Sequence, residues 1–179
     1  MSDDKVSTII KTAKTDLPFQ HYFVREQCKP VVTGFYFNGI ENAQPSAGFL
    51  QALDDTELSA VVICPSNPFV SIDPILSLPG IKDKLKNINA PVIAISPIIG
   101  GNAIKGPTAK MMDELNITKT SQAIAEHYRY LIDTLIVDDS DASEINSVKK
   151  LGIHCLATKT LMKTDADKEN LAHFILQSC

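Results

Sequence analysis

From Ser59 onward, short β-branched and aliphatic runs alternate with segments of helical composition. This rhythm limits the fold of the 179-residue chain more than any other feature. The runs are Ala60-Val61-Val62-Ile63-Cys64, Val92 to Ile95, Leu135-Ile136-Val137 and Ile153-His154-Cys155-Leu156-Ala157. Each is nearly apolar throughout instead of alternating, as strands buried on both faces are. Between them lie Ile72 to Leu76, Gly80 to Lys86, Pro107 to Leu115, Ser121 to Ile132 and Asp141 to Leu151, with Asp165 to Leu176 closing the chain. Parallel strands joined by helical crossovers satisfy this order. The pattern therefore predicts an α/β three-layer sandwich around a mostly parallel, Rossmann-like sheet.

The first third of the chain does not keep that rhythm. Val6 to Thr12 and Val31 to Asn38 read as strands, and Pro18 to Glu26 as a short helix with an aromatic face assigned to the core. Ser46 is the expected N-cap of a helix running to Leu53. One α/β domain over 1–179 is expected, with residues 1–58 an irregular, β-containing excursion and 59–179 the alternating core.

Charge narrows the partners. Lys and Arg total 17 against 21 Asp and Glu, a net −4, which argues against a general nucleic-acid or membrane-surface binder. No apolar run approaches bilayer-spanning length. Cys28, Cys64, Cys155 and Cys179 are scattered, and the chain opens without a signal-peptide pattern, so reduced thiols and a cytoplasmic location are expected. The four histidines have no metal-ligand spacing.

In a parallel sheet the loops leaving the strands' carboxyl ends share one rim, where ligands bind near a switch in strand order. Four loops meet that description: Pro65 to Pro68, Ser96 to Gly106, Asp138 to Asp141 and Thr158 to Met162. The second is the richest: Ser96-Pro97-Ile98-Ile99-Gly100-Gly101-Asn102-Ala103-Ile104-Lys105-Gly106-Pro107, set between a strand and a helix. It matches neither the P-loop nor the dinucleotide glycine pattern. It reads as an anion site fitted to phosphate, or as a tight turn that needs glycine for positive φ. Ser66 and Asn67 either face a nucleotide or form a turn. Lys105 and Lys110 are phosphate candidates, Lys110 equally a solvated helix residue. Asp138, Asp139 and Asp141 either hold Mg²⁺ or serve the following helix, with Ser140 or Asp141 as its N-cap.

The stretch Ser96 to Met112 resembles the signature of the CofD family, the 2-phospho-L-lactate transferases of coenzyme F-420 biosynthesis. Further similarity lies in Pro65-Ser66-Asn67-Pro68, Phe19 to Arg25, Pro74-Ile75-Leu76 and Thr160-Leu161-Met162. The resemblance implies transfer of 2-phospholactate from lactyl-2-diphospho-5′-guanosine to the deazaflavin 7,8-didemethyl-8-hydroxy-5-deazariboflavin, releasing GMP, with Mg²⁺ neutralising the diphosphate. Some members use an enolpyruvyl donor. It also implies that Ser66, Asn67, Ser96, Gly100, Gly101, Lys105 and Gly106 serve the donor nucleotide or its phosphates, while catalytic residues and metal ligands stay unassigned. The chain looks like the C-terminal part of such a transferase. Two alternatives stand beside it. One is a non-catalytic nucleotide-sugar-binding regulator of the gluconeogenesis-factor type, which carries a Gly-Ser-Leu-Tyr-Thr-Ser-like loop where this chain has Pro65 to Pro68. The other is a guanine-nucleotide-binding homodimer without turnover.

Overall fold

The computed structural model describes residues 1–103 and 106–179. They divide into two compact units built from interleaved segments. The first unit takes 1–56, 67–85 and 106–118; the second takes 57–66, 86–103 and 119–179.

The first unit contains the antiparallel excursion. Strand β1 (Ser7–Thr12) lies between β2 (Leu17–Pro18) and β3 (Val32–Asn38), with Ile9 opposite Tyr36 and Ile10 opposite Phe35. Ile10 and Val32 are fully buried. At the end of β3 the chain turns through Gly39 at φ 90°. A Cβ there would lie 2.6 Å from the Lys5 carbonyl oxygen, so only glycine fits. Helix α1 (Ala47–Leu53) begins after Ser46 as expected, but the Ser46 side chain makes no capping bond. Its backbone N–H instead donates to the Met1 carbonyl.

The aromatic segment is a single wide π-type turn, His21–Arg25, rather than a regular helix. Its assignment to the core holds for Tyr22, which is fully buried, and fails for Phe23, which is exposed and stacks on Phe19 at 5.6 Å. The remaining helices of this unit are α2 (Asp73–Leu76), the first part of α3 (Ile81–Asn87) and α4 (Thr108–Glu114).

The second unit contains the expected parallel sheet. Strands β4 (Val61–Ile63), β5 (Val92–Ile95), β8 (Thr134–Asp138) and β9 (His154–Thr158) lie side by side in that order, every pair parallel. All residues of β5 and β8 are buried, which accounts for their unbroken apolar sequence. On one face Ile93, Ile95 and Ile136 pack against Leu171 and Ile175 of α7 (Asp165–Gln177). The other helices are α5 (Ser121–His127) and α6 (Ile145–Lys149), the latter against β9.

Two expectations change. Strand β4, read as buried, is at one edge of the four-stranded sheet with Val62 exposed. Strand order follows chain order, so the four described strands contain no switch point. Two helices are also shorter than their sequence segments, while α3, α4 and α7 keep close to theirs: α5 ends at His127, and the Asp141 to Leu151 segment opens with a 3₁₀ turn over Asp139–Glu144 before α6.

Gly39→Ala places a methyl group against the Lys5 carbonyl in a left-handed backbone. The expected loss in urea unfolding is about 1–3 kcal/mol.

Candidate functional site: the carboxyl ends of the parallel strands

In the second unit the exits of β5, β8 and β9 are joined by short polar contacts, and the exit of β4 carries one within its own loop. At the end of β4, Cys64 is exposed and Ser66 is half-buried, with the Ser66 N–H donating to the Cys64 carbonyl at 2.8 Å. At the end of β5, Ser96 is almost fully buried. Its N–H donates to the Ile136 carbonyl of β8, and its hydroxyl accepts from the Ile98 N–H at 3.2 Å and lies 2.9 Å from the Ser121 hydroxyl. Ser96 therefore pins the loop after β5 to the start of α5.

The chain beyond Ser96 folds back on itself. Strand β6 (Ile98–Ile99) pairs antiparallel with β7 (Asn102–Ala103), leaving Gly100 and Gly101 as a two-residue turn at φ 57° and 72°. Two successive positive φ values mark the tight hairpin geometry for which paired glycines are well suited. Along the chain the expected order of strand, glycine loop and helix is kept from β5 to α4, and the glycine loop contains a hairpin. The Gly100 N–H donates to both carboxylate oxygens of Asp141, at 3.0 and 2.9 Å.

The β8 and β9 exits are tied together by Asp138. One carboxylate oxygen accepts from the Ser140 N–H at 3.1 Å and its hydroxyl at 2.8 Å. The other accepts from the Thr160 N–H at 2.9 Å and its hydroxyl at 3.2 Å. Burial works to raise the pKa of Asp138, but these four donors outweigh it and hold the carboxyl below its ordinary range. Asp138, rather than Ser140 or Asp141, caps the following 3₁₀ turn. Beyond it, Lys159 pairs with Asp167, which closes a capping box with Thr164; the ammonium and the backbone donors together hold Asp167 well below the usual carboxylate range.

The remaining sequence candidates belong to the first unit or fall outside the described residues. The Asn67 amide oxygen accepts from the Phe69 and Val70 N–H groups at 2.9 and 3.2 Å, and its nitrogen faces the Met111 sulfur at 3.5 Å. This is the turn-forming role weighed for it. Gly106 is exposed at φ 70° just ahead of Pro107. Lys105 lies outside the described residues. The Lys110 ammonium pairs with Glu114, donates to the Pro30 carbonyl at 3.0 Å and reaches the Tyr22 hydroxyl at 3.5 Å. Glu114 also accepts from the Val32 N–H at 2.9 Å. Burial foremost, then the charges of Cys28 and Glu114, push the Tyr22 phenol up. In this unit Lys110 is thus engaged by Glu114, Pro30 and Tyr22, with its side chain still partly exposed.

No group of three or more His, Cys, Asp or Glu among the described residues is arranged to hold a metal ion. The carboxylates considered for Mg²⁺ do not converge: Asp138 takes four donors, Asp141 faces the Gly100 amide, and Asp139 is exposed. No cysteine forms a disulfide, and burial pushes the Cys155 thiol up to about 11, keeping it protonated. No helix among the described residues is long and apolar enough to cross a membrane.

The family model of 2-phospho-L-lactate transferase CofD matches residues 1–175. The chain belongs to the CofD family. A 2-phospho-L-lactate transferase of Methanosarcina mazei is 36% identical over 178 residues, covering 99% of this chain and 57% of its own length. A phosphoenolpyruvate transferase of Streptomyces griseus is 35% identical over 173 residues, covering 93% of this chain and 53% of its own. The chain thus spans somewhat over half the length of these relatives. A Bacillus halodurans protein of known crystal structure shares the fold at a TM-score of 0.65 and 16% identity, over 98% of this chain and 60% of the other. The CofD chain carries Ser96, Gly100 and Gly101 at one strand exit, as its sequence led us to expect. Linear order gave no sign of their partners Ser121 and Asp141, which lie 25 and 41 residues further along.

Asp138→Asn cannot accept all four of these donors, and an expected loss of about 1–3 kcal/mol follows from an unmet buried bond. Because the folded-state carboxyl is held down, its stabilisation is present above the unfolded value of about 4 and fades as pH falls through the lower folded one. Unfolding midpoints measured from pH 7 to pH 2 should therefore fall more steeply for the wild type than for Asp138→Asn.

Proposed function

We propose that this CofD chain takes part in transfer of 2-phospholactate from lactyl-2-diphospho-5′-guanosine to 7,8-didemethyl-8-hydroxy-5-deazariboflavin, with release of GMP. The observation that supports this reading is the family match over residues 1–175, together with a glycine turn at a strand exit of a parallel sheet. In this reading the terminal ribityl hydroxyl of the acceptor attacks the phosphorus that carries lactate. The new P–O bond forms as the bond to the GMP oxygen breaks, and the hydroxyl proton is lost to solvent.

Such chemistry depends on alignment and charge neutralisation more than on a covalent intermediate. The chain's own part is to orient the donor diphosphate. Backbone N–H groups at Gly100 and Gly101 and the Ser66 hydroxyl are suited to phosphate oxygens, and Ser96 acts by holding the hairpin base. In sequence, Lys105 and Gly106 continue the same loop, and Lys105 is proposed to add positive charge to the diphosphate. Since the described carboxylates do not assemble a metal centre, Mg²⁺ is proposed to arrive on the donor diphosphate, where a hard cation keeps phosphate and water ligands.

Calorimetric titration of the chain with GDP and, separately, with UDP-N-acetylglucosamine tests the reading. GDP should bind more tightly, and tighter UDP-sugar binding would point to the regulator instead. Lys105→Ala should weaken GDP binding roughly tenfold without altering the circular dichroism spectrum. Unchanged affinity would remove Lys105 from the site.

A further inference from the structure

We propose that the Asp141 carboxylate is an internal anion seated on the Gly100 amide, which a phosphate-bearing ligand must displace. This deepens the functional reading above and rests on it. In a two-residue hairpin the first turn residue has no strand partner for its N–H, and successive N–H groups in such a turn form an anion-binding concavity. Here the anion is already present. Both oxygens of Asp141 lie within 3.0 Å of the Gly100 nitrogen, the geometry of a forked, charge-assisted bond.

The two neighbouring aspartates are held in different ways. Asp138 is buried, and its oxygens accept four hydrogen bonds from Ser140 and Thr160. Asp141 is buried to a similar depth, at 5% exposure. Among the described residues the Gly100 amide is its hydrogen-bond donor, and neither lysine nor arginine pairs with it. A carboxylate can accept about four hydrogen bonds. One held by a single amide in a buried setting is weakly compensated. It strengthens the hairpin turn, but a better-solvated or cation-bound phosphate can take its place. The two anions cannot share the amide, because like charges within a few ångströms repel strongly where water is scarce.

The surroundings suit such an exchange. The turn carrying Asp141 is anchored independently through Asp138, and the hairpin base through the Ser96–Ser121 hydroxyl pair. Only the glycine tip and one carboxylate need to part.

Asp141→Asn removes the charge and keeps an oxygen acceptor for the Gly100 amide, so it separates competition from simple support. Calorimetry on the 179-residue chain, with inorganic pyrophosphate and with GDP in Mg²⁺ buffer, reads the sign. Displacement requires Asp141→Asn to bind roughly tenfold more tightly than wild type, from the cost of removing a charge-assisted bond. Equal or weaker binding by a folded Asp141→Asn chain overturns the proposal while leaving the functional reading intact. Binding by neither chain overturns both. If the variant does not fold, the wild-type chain gives the answer by NMR. Pyrophosphate should shift the Asp141 carboxyl carbon and the Gly100 amide together, and ligand binding that leaves the Asp141 carboxyl unmoved overturns the proposal.

Discussion

Two strands with no solvent-facing side, β5 and β8, constrain the rest of the second unit. Their side chains are buried on both faces, so polar groups can be used only where the strands end. At the carboxyl ends the chain meets that requirement with Ser96, Ser121, Asp138, Asp141 and Thr160, all buried and all hydrogen-bonded. The rim is therefore a hydrogen-bonded frame. Asp138 is its strongest joint, because one carboxylate closes two loops.

That frame explains how the glycine turn is presented. The paired glycines would be a source of disorder in an unsupported loop, since glycine loses the most conformational freedom on folding. Here the strand pairing of Ile98 with Ala103 and Ile99 with Asn102 fixes the turn from below, and the Asp141 carboxylate holds it from the side. The result is a backbone amide aimed at an anion, with rigid support close behind it.

The first unit solves a different problem. Its antiparallel sheet is small, and the segment 21–31 makes no regular helix, so side chains must hold it. The Lys110 ammonium gathers Glu114, the Pro30 carbonyl and the Tyr22 hydroxyl, while Glu114 accepts from the Val32 N–H that opens β3. A lysine that looks from sequence like a phosphate ligand is thereby drawn into structural use. Its environment is set by residues about 80 positions away.

The sequence by itself determined the parallel core, the antiparallel excursion and the family. Unbroken β-branched runs, helical spacers and an extended run of motif residues are all local patterns, readable without knowing what packs on what. Gly100 and Gly101 were legible as turn residues for the same reason, since backbone conformation is a local property. Tertiary structure alone decided that strand order follows chain order, that Asp138 rather than its neighbours is the cap, and that Asp141 meets Gly100. Those outcomes depend on loops brought together by strand pairing, and a hydrogen bond between residues 41 positions apart leaves no trace in spacing or composition.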